Sequence, residues 1–276
     1  MIDLKTNIDF KKIIALYSNN FMQELSIIPV IGGEIEFYTK KKTSIKKLKD
    51  IIQHNHVTVV EEEGKNQFEL HITPTTNAMN FIETLESAKK SLKDIALFNT
   101  KPFKTEPTSS LHVHINFLDK NGKNLFLRKE GKNPRILAYS LGGMLSFMKA
   151  SCIFFAPTQY CYIRYNTKSM TTPSNVSWGV NNRTTAIRIT PRERGVRRIE
   201  HRLSSANADP EKVIASIFAA IYIGIKEKIM PSEPIYGNAF DEQYIAEKLP
   251  QSLEEAQVLF MQGEFYKLLI GMKEEI

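Results

Sequence analysis

The sequence is poor in the features that mark secreted and membrane-bound proteins. It has two cysteines, Cys152 and Cys161, which lie in an apolar stretch and neither of which begins a CxxC pair. Reduced thiols are therefore expected. No apolar run reaches the roughly 18 residues that a membrane span needs, and the N-terminus has no apolar segment of the signal-peptide kind. Together these absences predict a cytoplasmic protein with no membrane partner.

The chain also lacks a glycine-rich loop of the Walker type, internal repeats, low-complexity segments and recognisable linkers. Without repeats or linkers, one domain over residues 1–276 is expected. A protein that binds a polyphosphate without a glycine-rich loop has to hold the phosphates with metal ions and basic side chains.

Lysine and arginine are distributed differently along this sequence, whose formal net charge is +7. Lysines cluster between residues 40 and 49, a run that fits either a nucleic-acid or acidic membrane surface, or an ordinary solvated helix face. The run has no interleaved aromatic residues and no known nucleic-acid-binding motif. The solvated face is therefore the favoured interpretation, and no nucleic-acid partner is expected.

Arginine is distributed quite differently, because none precedes Arg128 and none follows Arg202. Eight of the ten fall within 39 residues: Arg164, Arg183, Arg188, Arg192, Arg194, Arg197, Arg198 and Arg202. The planar guanidinium group grips carboxylate and phosphate oxygens with two hydrogen bonds, which lysine cannot do. The concentration of arginine in one stretch indicates an anion-binding site.

Hydrophobic periodicity predicts an α+β fold with helices and strands that do not alternate strictly. Helices are predicted at residues 7–25, 44–54, 77–98, 134–155 and 210–230, with one or two more after residue 252. Strands are predicted at residues 27–38, 57–63, 67–73 and 111–118, with three or four more between residues 159 and 203. This order favours an antiparallel or mixed sheet with helices packed against it.

Several carboxylates are spaced so that, on a β-strand, their side chains would point to the same face of the sheet. Glu34 and Glu36 are two residues apart, so on a strand both point to the same face, about 7 Å apart. Glu61 and Glu69 flank a connection that contains Gly64, with Gln67 beside Glu69. A solvent-facing polar strand and a charged hairpin explain these pairs equally well when each is considered alone.

Histidine and arginine repeat the same spacing further along the chain. His112 and His114 share one face of an otherwise apolar strand, which is unusual for packing alone. Arg198, Glu200 and Arg202 also share a face, and a ladder of salt bridges explains that set as well as a binding site does. Considered together, these carboxylates and a histidine are suited to Mg²⁺ or Mn²⁺, with the neighbouring arginines suited to phosphate.

These sets occur in an order that resembles the glutamine synthetase family over roughly residues 8 to 270. The resemblance rests on ordered blocks: Glu34-Ile35-Glu36-Phe37, Glu61 with Gln67-Phe68-Glu69, Leu111-His112-Val113-His114, Lys120-Asn121-Gly122-Lys123-Asn124-Leu125-Phe126, Pro157-Thr158 with Tyr162 and Arg164, Asn182-Arg183-Thr184 with Arg188, Arg197-Arg198-Ile199-Glu200-His201-Arg202, and Ala206-Asn207-Ala208-Asp209-Pro210. The fold implied is the family's catalytic domain, a curved and mostly antiparallel sheet with helices on its outer face. The family's N-terminal β-grasp domain has no expected counterpart.

The resemblance implies two metal sites and a nucleotide site. Glu36, Glu61 and Glu69 would hold one Mg²⁺ or Mn²⁺ ion, and Glu34, His112 and Glu200 would hold the other. ATP is implied as a co-substrate, with His114 and Arg198 at the nucleotide. The implied roles of the arginines are phosphoryl binding for Arg183, Arg188 and Arg198, and substrate carboxylate binding for Arg164 and Arg202.

The implied activity is that of an ATP- and Mg²⁺-dependent carboxylate–amine ligase, which forms an acyl phosphate that an amine then attacks. Small-molecule acids and amines would be its partners, and a homo-oligomer is expected. Three further departures from the family are present. The stretch between Glu36 and Glu61 is short, which removes some nucleotide and flap contacts. Met170 stands in place of the flap glutamate, and residues 106–110 stand in place of a glycine-bearing loop. They favour a different amine acceptor or a different acid over glutamine synthesis, and leave a phosphotransferase or a non-catalytic nucleotide-binding relative as alternatives.

Overall fold

A computed structural model describes residues 8–128, 133–167, 171–191, 196–244 and 246–271. Its strands are β1 (Ile28–Thr39), β2 (Val57–Glu61), β3 (Gln67–Thr75), β4 (Ala96–Leu97), β5 (Ser110–Leu118), β6 (Trp178–Val180), β7 (Ile187–Ile189) and β8 (Ile199–Ser205). Its helices are α1 (Phe10–Gln23), α2 (Ile45–Ile52), α3 (Ala78–Ser91), α4 (Arg135–Ser146), α5 (Met148–Phe155), α6 (Pro210–Lys226), α7 (Leu253–Gln262) and α8 (Glu264–Gly271).

The strands form one sheet in the order β2-β3-β1-β5-β8-β7-β6, with β4 paired to the end of β1. Every pairing within it is antiparallel except that of β6 with β7. The predicted α+β fold with a mostly antiparallel sheet is therefore confirmed. Consecutive residues point to opposite faces of such a sheet, so each strand contributes one set of side chains to the core and another to the opposite face.

Helices cover the apolar face of the sheet. Phe21 of α1 contacts Phe117 of β5 and Phe218 of α6, with ring centroids 4.9 and 5.5 Å apart. On β1, a Cβ atom at Gly33 would lie 2.6 Å from the carbonyl oxygen of His112 on β5 and 2.9 Å from the ring of Phe81 in α3. Glycine is therefore what allows α3 to pack directly against this strand. The opposite face of β1 carries Glu34 and Glu36.

Two predicted helices and one predicted strand region differ from the structure. The helix predicted at residues 134–155 breaks at Phe147 into α4 and α5, which are bent by 71°. The helix predicted at residues 77–98 ends at Ser91, because residues 96–97 pair with β1. After residue 159 the chain first forms a 3-10 helix (Gln159–Ile163), and three strands follow. Apolar periodicity does not show where a neighbouring element interrupts a helix.

None of the helices in the described part of the chain is long and apolar enough to cross a membrane by itself. Only α4 and α5 taken together, across their bend, reach the required length and composition.

Close packing of α4 against α6 depends on glycines at their crossing. A Cβ atom at Gly143 would lie 2.0 Å from the carbonyl oxygen of Ala220 and 2.8 Å from the Cα atom of Gly224. We expect Gly143→Ala to lower the free energy of unfolding by about 2 kcal/mol or more, because the helices must separate to admit the methyl group. Urea unfolding followed by circular dichroism measures the change.

Ser146→Ala, at the exposed end of the same helix, is the matched control. It should alter the free energy of unfolding by no more than about 0.5 kcal/mol. Equal stability of the two variants would show that the crossing tolerates the added methyl group.

Candidate active site

Strand register gathers the predicted ligands into one band across the face that the helices leave open. Glu34 lies opposite both His71 of β3 and His112 of β5, and Glu36 lies opposite Glu69. On the other side of β5, His114 lies opposite Glu200, which lies opposite Arg188 of β7. Directly opposed residues in an antiparallel pair share a face, so five strands supply side chains to a single site.

Glu34 lies at the middle of this band, within reach of three imidazoles. Its Oε1 atom is 3.1 Å from His114 Nε2 and 3.6 Å from His112 Nδ1, and its Oε2 atom is 3.5 Å from His71 Nε2. Burial alone would raise the pKa of Glu34, but the neighbouring imidazoles of His112 and His114 hold it well below its usual range. The carboxylate is therefore ionised at neutral pH.

Glu36 and Glu69 form the second part of the band, and they have the opposite electrostatic character. Burial, together with the charge on Glu69, raises the pKa of Glu36 to about 8, although the backbone N–H of Ser110 donates to it at 2.9 Å. Burial also raises the pKa of Glu69 to about 7, against the hydrogen bond from His71. A half-buried and a buried carboxylate lie side by side here, and the raised pKa values favour their protonated forms.

Ser110 also orients His112. Its hydroxyl is 2.9 Å from His112 Nε2, which directs Nδ1 toward Glu34 and toward Glu200 Oε1 at 3.8 Å. Burial and the charge of Arg202 lower the pKa of His112, so the imidazole is neutral and has a lone pair available for a cation. A hydrogen bond to the far ring nitrogen is the usual way of orienting a histidine ligand.

Glu200 is held between two arginines. Arg188 donates to its Oε2 atom at 2.9 Å, and Arg202 donates to its Oε1 atom. Burial opposes the charge, but Arg202, His112, His114 and Arg188 lower the pKa of Glu200 to about 2. Each arginine also binds a second oxygen, since Arg188 donates to Asn181 and Arg202 to the carbonyl oxygen of Thr171, while neither Nε atom has a hydrogen-bond partner among the described residues.

The structure does not bring Glu61 into the site, which corrects the predicted ligand set. Glu61 is exposed at the end of β2 and lies opposite Phe68, whose side chain belongs to the helix-covered core. The next residue, Glu62, is the one whose charge raises the pKa values of Glu36, Glu69 and His71. Glu62 therefore replaces Glu61 as the nearby acidic group.

His71 was missed in the sequence, although it follows Glu69 at the spacing that makes a shared strand face. Its Nε2 atom is 2.5 Å from Glu69 Oε2. The hydrogen bond to Glu69 raises the pKa of His71. The alternation Gln67, Glu69, His71 was the available signal.

Arg164 differs from its predicted role as a substrate-carboxylate group. Its side chain is only 2% exposed, and it donates to the carbonyl oxygens of Leu203 at 2.8 Å and Arg202 at 3.4 Å. Burial lowers its pKa. In this geometry Arg164 fastens the 3-10 helix segment to β8 and influences Glu36 through its charge.

His114 and Arg198, the two residues predicted at the nucleotide, line one cavity of about 430 Å³ beside the band. Arg198 is half-buried and has neither an ion pair nor a side-chain hydrogen bond to any residue that the structure describes. Arg183, by contrast, is exposed on the turn after β6. Arg198 is thus the arginine best placed to receive an anion entering this cavity.

Residues 106–110 form the rim beside Glu36 and are fixed to the neighbouring strands. Tyr38 donates its hydroxyl to the carbonyl oxygen of Pro107 at 2.9 Å, and Gln67 donates to that of Thr108 at 3.2 Å. Glu106 accepts from the backbone N–H of Lys65. The predicted flap position, Met170, lies outside the described residues.

The donor chemistry fits divalent cations. Glu34, His114 and Glu200 form one group, and Glu36, Glu69 and His112 form another; within each group one ligand atom per residue lies within 4.8 Å of the others. Carboxylate oxygens with one imidazole nitrogen suit Mg²⁺ or Mn²⁺. The groups overlap, because His112 Nδ1 also lies 3.6 Å from Glu34 Oε1 and 3.8 Å from Glu200 Oε1, the two residues with which the sequence prediction placed it.

A family model of the glutamine synthetase catalytic domain matches residues 52–273 of this chain. The chain belongs to this family. The match includes Glu69, the histidine strand and the whole arginine-rich stretch.

Several members of the family are similar in sequence. Gamma-glutamylputrescine synthetase PuuA of Escherichia coli (strain K12) is 31% identical over 213 residues, which are 75% of this chain and 43% of PuuA. Glutamate–isopropylamine ligase of Pseudomonas sp is 30% identical over 220 residues, covering 75% of this chain and 47% of that enzyme. The chain therefore matches less than half the length of these relatives.

Solved structures share the fold at lower identity. GmaS in complex with ADP has a TM-score of 0.78 and 21% identity, covering 95% of this chain and 68% of that one. A glutamine synthase homologue has a TM-score of 0.79 and 16% identity, covering 97% and 70% of the two chains.

Cation binding should release protons in a pH-dependent way. Glu36 and Glu69 keep protons well above the ordinary carboxyl range in the cation-free protein, and a cation binds their ionised forms. Titration with Mn²⁺ at pH 6.5 should release about one to two protons, and almost none above about pH 9. Calorimetry in buffers of different ionisation enthalpy counts them.

Glu36 and Glu69 also determine how the stability of the folded protein changes with pH. At Glu36 and Glu69 the folded, cation-free protein holds more protons than the unfolded chain between about pH 4.5 and pH 8, so these two groups lower its stability as pH rises through that range. In the Mn²⁺ titration, Glu36→Gln should release about one proton fewer than the wild type. Proton release that does not depend on pH would contradict the assigned pKa shifts.

The neighbouring residues Glu61 and Glu62 provide a matched pair of variants. Glu62→Gln removes a negative charge that acts on Glu36 and Glu69, so Mn²⁺ affinity should fall about fivefold to tenfold. Glu61→Gln should leave it within about twofold. If the Glu61 variant has the larger effect, the original ligand assignment is the right one.

Proposed function

We propose that this protein is an ATP- and divalent-cation-dependent ligase that joins a small carboxylic acid to an amine. The observation that carries the proposal is the band of converging carboxylates and imidazoles that ends at a cavity lined by Arg198, whose side chain pairs with none of the described residues. Relatives with ligase names add support, since PuuA and the isopropylamine ligase are each about 30% identical to this chain. Bound Mg²⁺ or Mn²⁺ would supply electrostatic stabilisation of the transferred phosphoryl group.

The protein residues have separable tasks in this proposal. Glu34, Glu200 and His114 would hold a cation on the side of the band next to the cavity, where the nucleotide phosphates enter. Glu36, Glu69 and His112 would hold a second cation on the side next to residues 106–110. The acid would therefore bind between that rim and β8, with its activated carboxyl group directed at Arg198.

Arg188 and Arg202 would orient Glu200 before substrate arrives. Arg188 donates to Glu200 and to Asn181, and Arg202 donates to Glu200 and to the carbonyl oxygen of Thr171. A phosphoryl group near Glu200 is within reach of both guanidinium groups if these bonds are exchanged. A substrate carboxylate also has Arg202 available to it, whereas both terminal nitrogens of Arg164 donate to backbone oxygens.

An amine larger than ammonia is the proposed acceptor. The rim at residues 106–110 has no glycine and is fixed by hydrogen bonds to Tyr38, Gln67 and Lys65. A rim of this kind changes the space beside the acyl carbon without changing the cation ligands. Its presence favours amine selectivity over glutamine synthesis.

The decisive experiment measures ADP release with Mg²⁺ or Mn²⁺, ATP and a panel of acids and amines that includes glutamate, ammonia, methylamine, isopropylamine and putrescine. A ligase releases ADP and phosphate only when both an acid and an amine are present. Hydroxylamine should trap the activated acid as a hydroxamate. ADP release with acid alone and a phosphorylated product would instead establish a phosphotransferase.

Tight nucleotide binding without turnover under every pairing would identify a non-catalytic relative and overturn the proposal. Arg198→Lys should lower the rate of ADP release about a hundredfold, since lysine cannot give two hydrogen bonds to one phosphoryl group. Arg135→Lys, at an exposed position that begins α4, is the matched control. It should leave the rate within about twofold.

A further inference from the structure

A third convergent group of side chains lies beside the two cation sites. It consists of Glu34, Glu69 and His71, which each offer one ligand atom within 4.8 Å of the other two. Neither the sequence motifs nor the proposed cation sites use His71. Its position follows from register, because His71 lies directly opposite Glu34 across the β1–β3 pair.

Distances within the group are close to those between the ligands of a bound cation. His71 Nε2 lies 3.5 Å from Glu34 Oε2 and 2.5 Å from Glu69 Oε2. Ligand atoms around a six-coordinate ion with bonds of about 2.1 Å lie about 3 Å apart. A small outward movement of the imidazole therefore accommodates an ion without any change of strand position.

The group is also open to solvent on one side. The side chain of His71 is 43% exposed, against 18% for Glu34 and 8% for Glu69. Across β2, the residue opposite His71 is Thr58, which is small and exposed. A hydrated cation can reach the imidazole from this side, and the two carboxylates beneath it supply the charge that retains it.

We propose that His71, with Glu34 and Glu69, forms an additional cation-binding position that favours transition metals such as Mn²⁺ over Mg²⁺. Imidazole nitrogen is a weaker ligand for Mg²⁺, which prefers oxygen, than for the transition metals. Glu34 and Glu69 each belong to one of the other two groups, so the three positions share ligands and are filled together. The inference deepens the proposed function, because it assigns the ligase a preferred metal.

Mn²⁺ binding tests the inference directly, without an activity assay. Free Mn²⁺ measured by electron paramagnetic resonance during titration gives the number and affinity of the bound ions in the wild type and in His71→Asn. We expect the variant to lose one ion, or to bind one of them at least tenfold more weakly. Competition with Mg²⁺ should show that the preference for Mn²⁺ falls in the same variant.

His56→Asn is the matched control, because His56 is an exposed histidine that precedes β2 and contacts His54 through its ring. Its Mn²⁺ binding should equal that of the wild type. Unchanged number and affinity of Mn²⁺ ions in His71→Asn would overturn the inference, and would leave His71 as an ion-pair partner of Glu69. Circular dichroism establishes that each variant is folded.

A second measurement on the wild type covers the case in which His71→Asn does not fold. Pulsed electron paramagnetic resonance detects nitrogen bound directly to Mn²⁺. A fully loaded protein should show nitrogen coupling at three ions, whereas coupling at two only would overturn the inference. Loss of ligase activity in the substrate panel, together with intact Mn²⁺ binding through His71, would overturn the proposed function alone.

Discussion

Four carboxylates, Glu34, Glu36, Glu69 and Glu200, lie on one face of the sheet with little access to water, and their charge has to be compensated within the protein. An uncompensated buried carboxylate is too costly to retain, so it either pairs or takes up a proton. The histidines, the arginines and the strand register around these residues all follow from that constraint. The helix-covered face of the same strands has no such requirement and is filled by apolar side chains.

Compensation takes a different form on the two sides of the band. Glu200 is ionised because Arg188 and Arg202 hold it, and Glu34 because His112 and His114 do. Glu36 and Glu69 pair with no arginine in the described part of the chain and carry raised pKa values. The protein is therefore prepared for a cation on one side, while on the other a cation has to displace protons.

The rigid parts of the site and the variable parts are built differently. Ligand positions depend on paired strands, whose register fixes opposite residues with little freedom. Residues 106–110 and the Thr171 segment are loops that reach the band through individual hydrogen bonds. Differences in substrate among relatives with the same sheet are consistent with this division, because loops change without disturbing the strands.

The sequence by itself determined the fold class, the strands and most of the band, since period-2 spacing of Glu34 with Glu36 and of His112 with His114 is a property of any extended chain. It did not determine which acidic residue at the end of β2 is near the site. That choice depends on the strand register across the turn between β2 and β3, which makes Glu62 rather than Glu61 the nearby residue. Tertiary packing also decided that Arg164 bonds to backbone oxygens and that residues 134–155 bend at Phe147. His71 became part of the site only when β3 paired with β1, because the distance to Glu34 is set by hydrogen bonds between strands that are far apart in the chain.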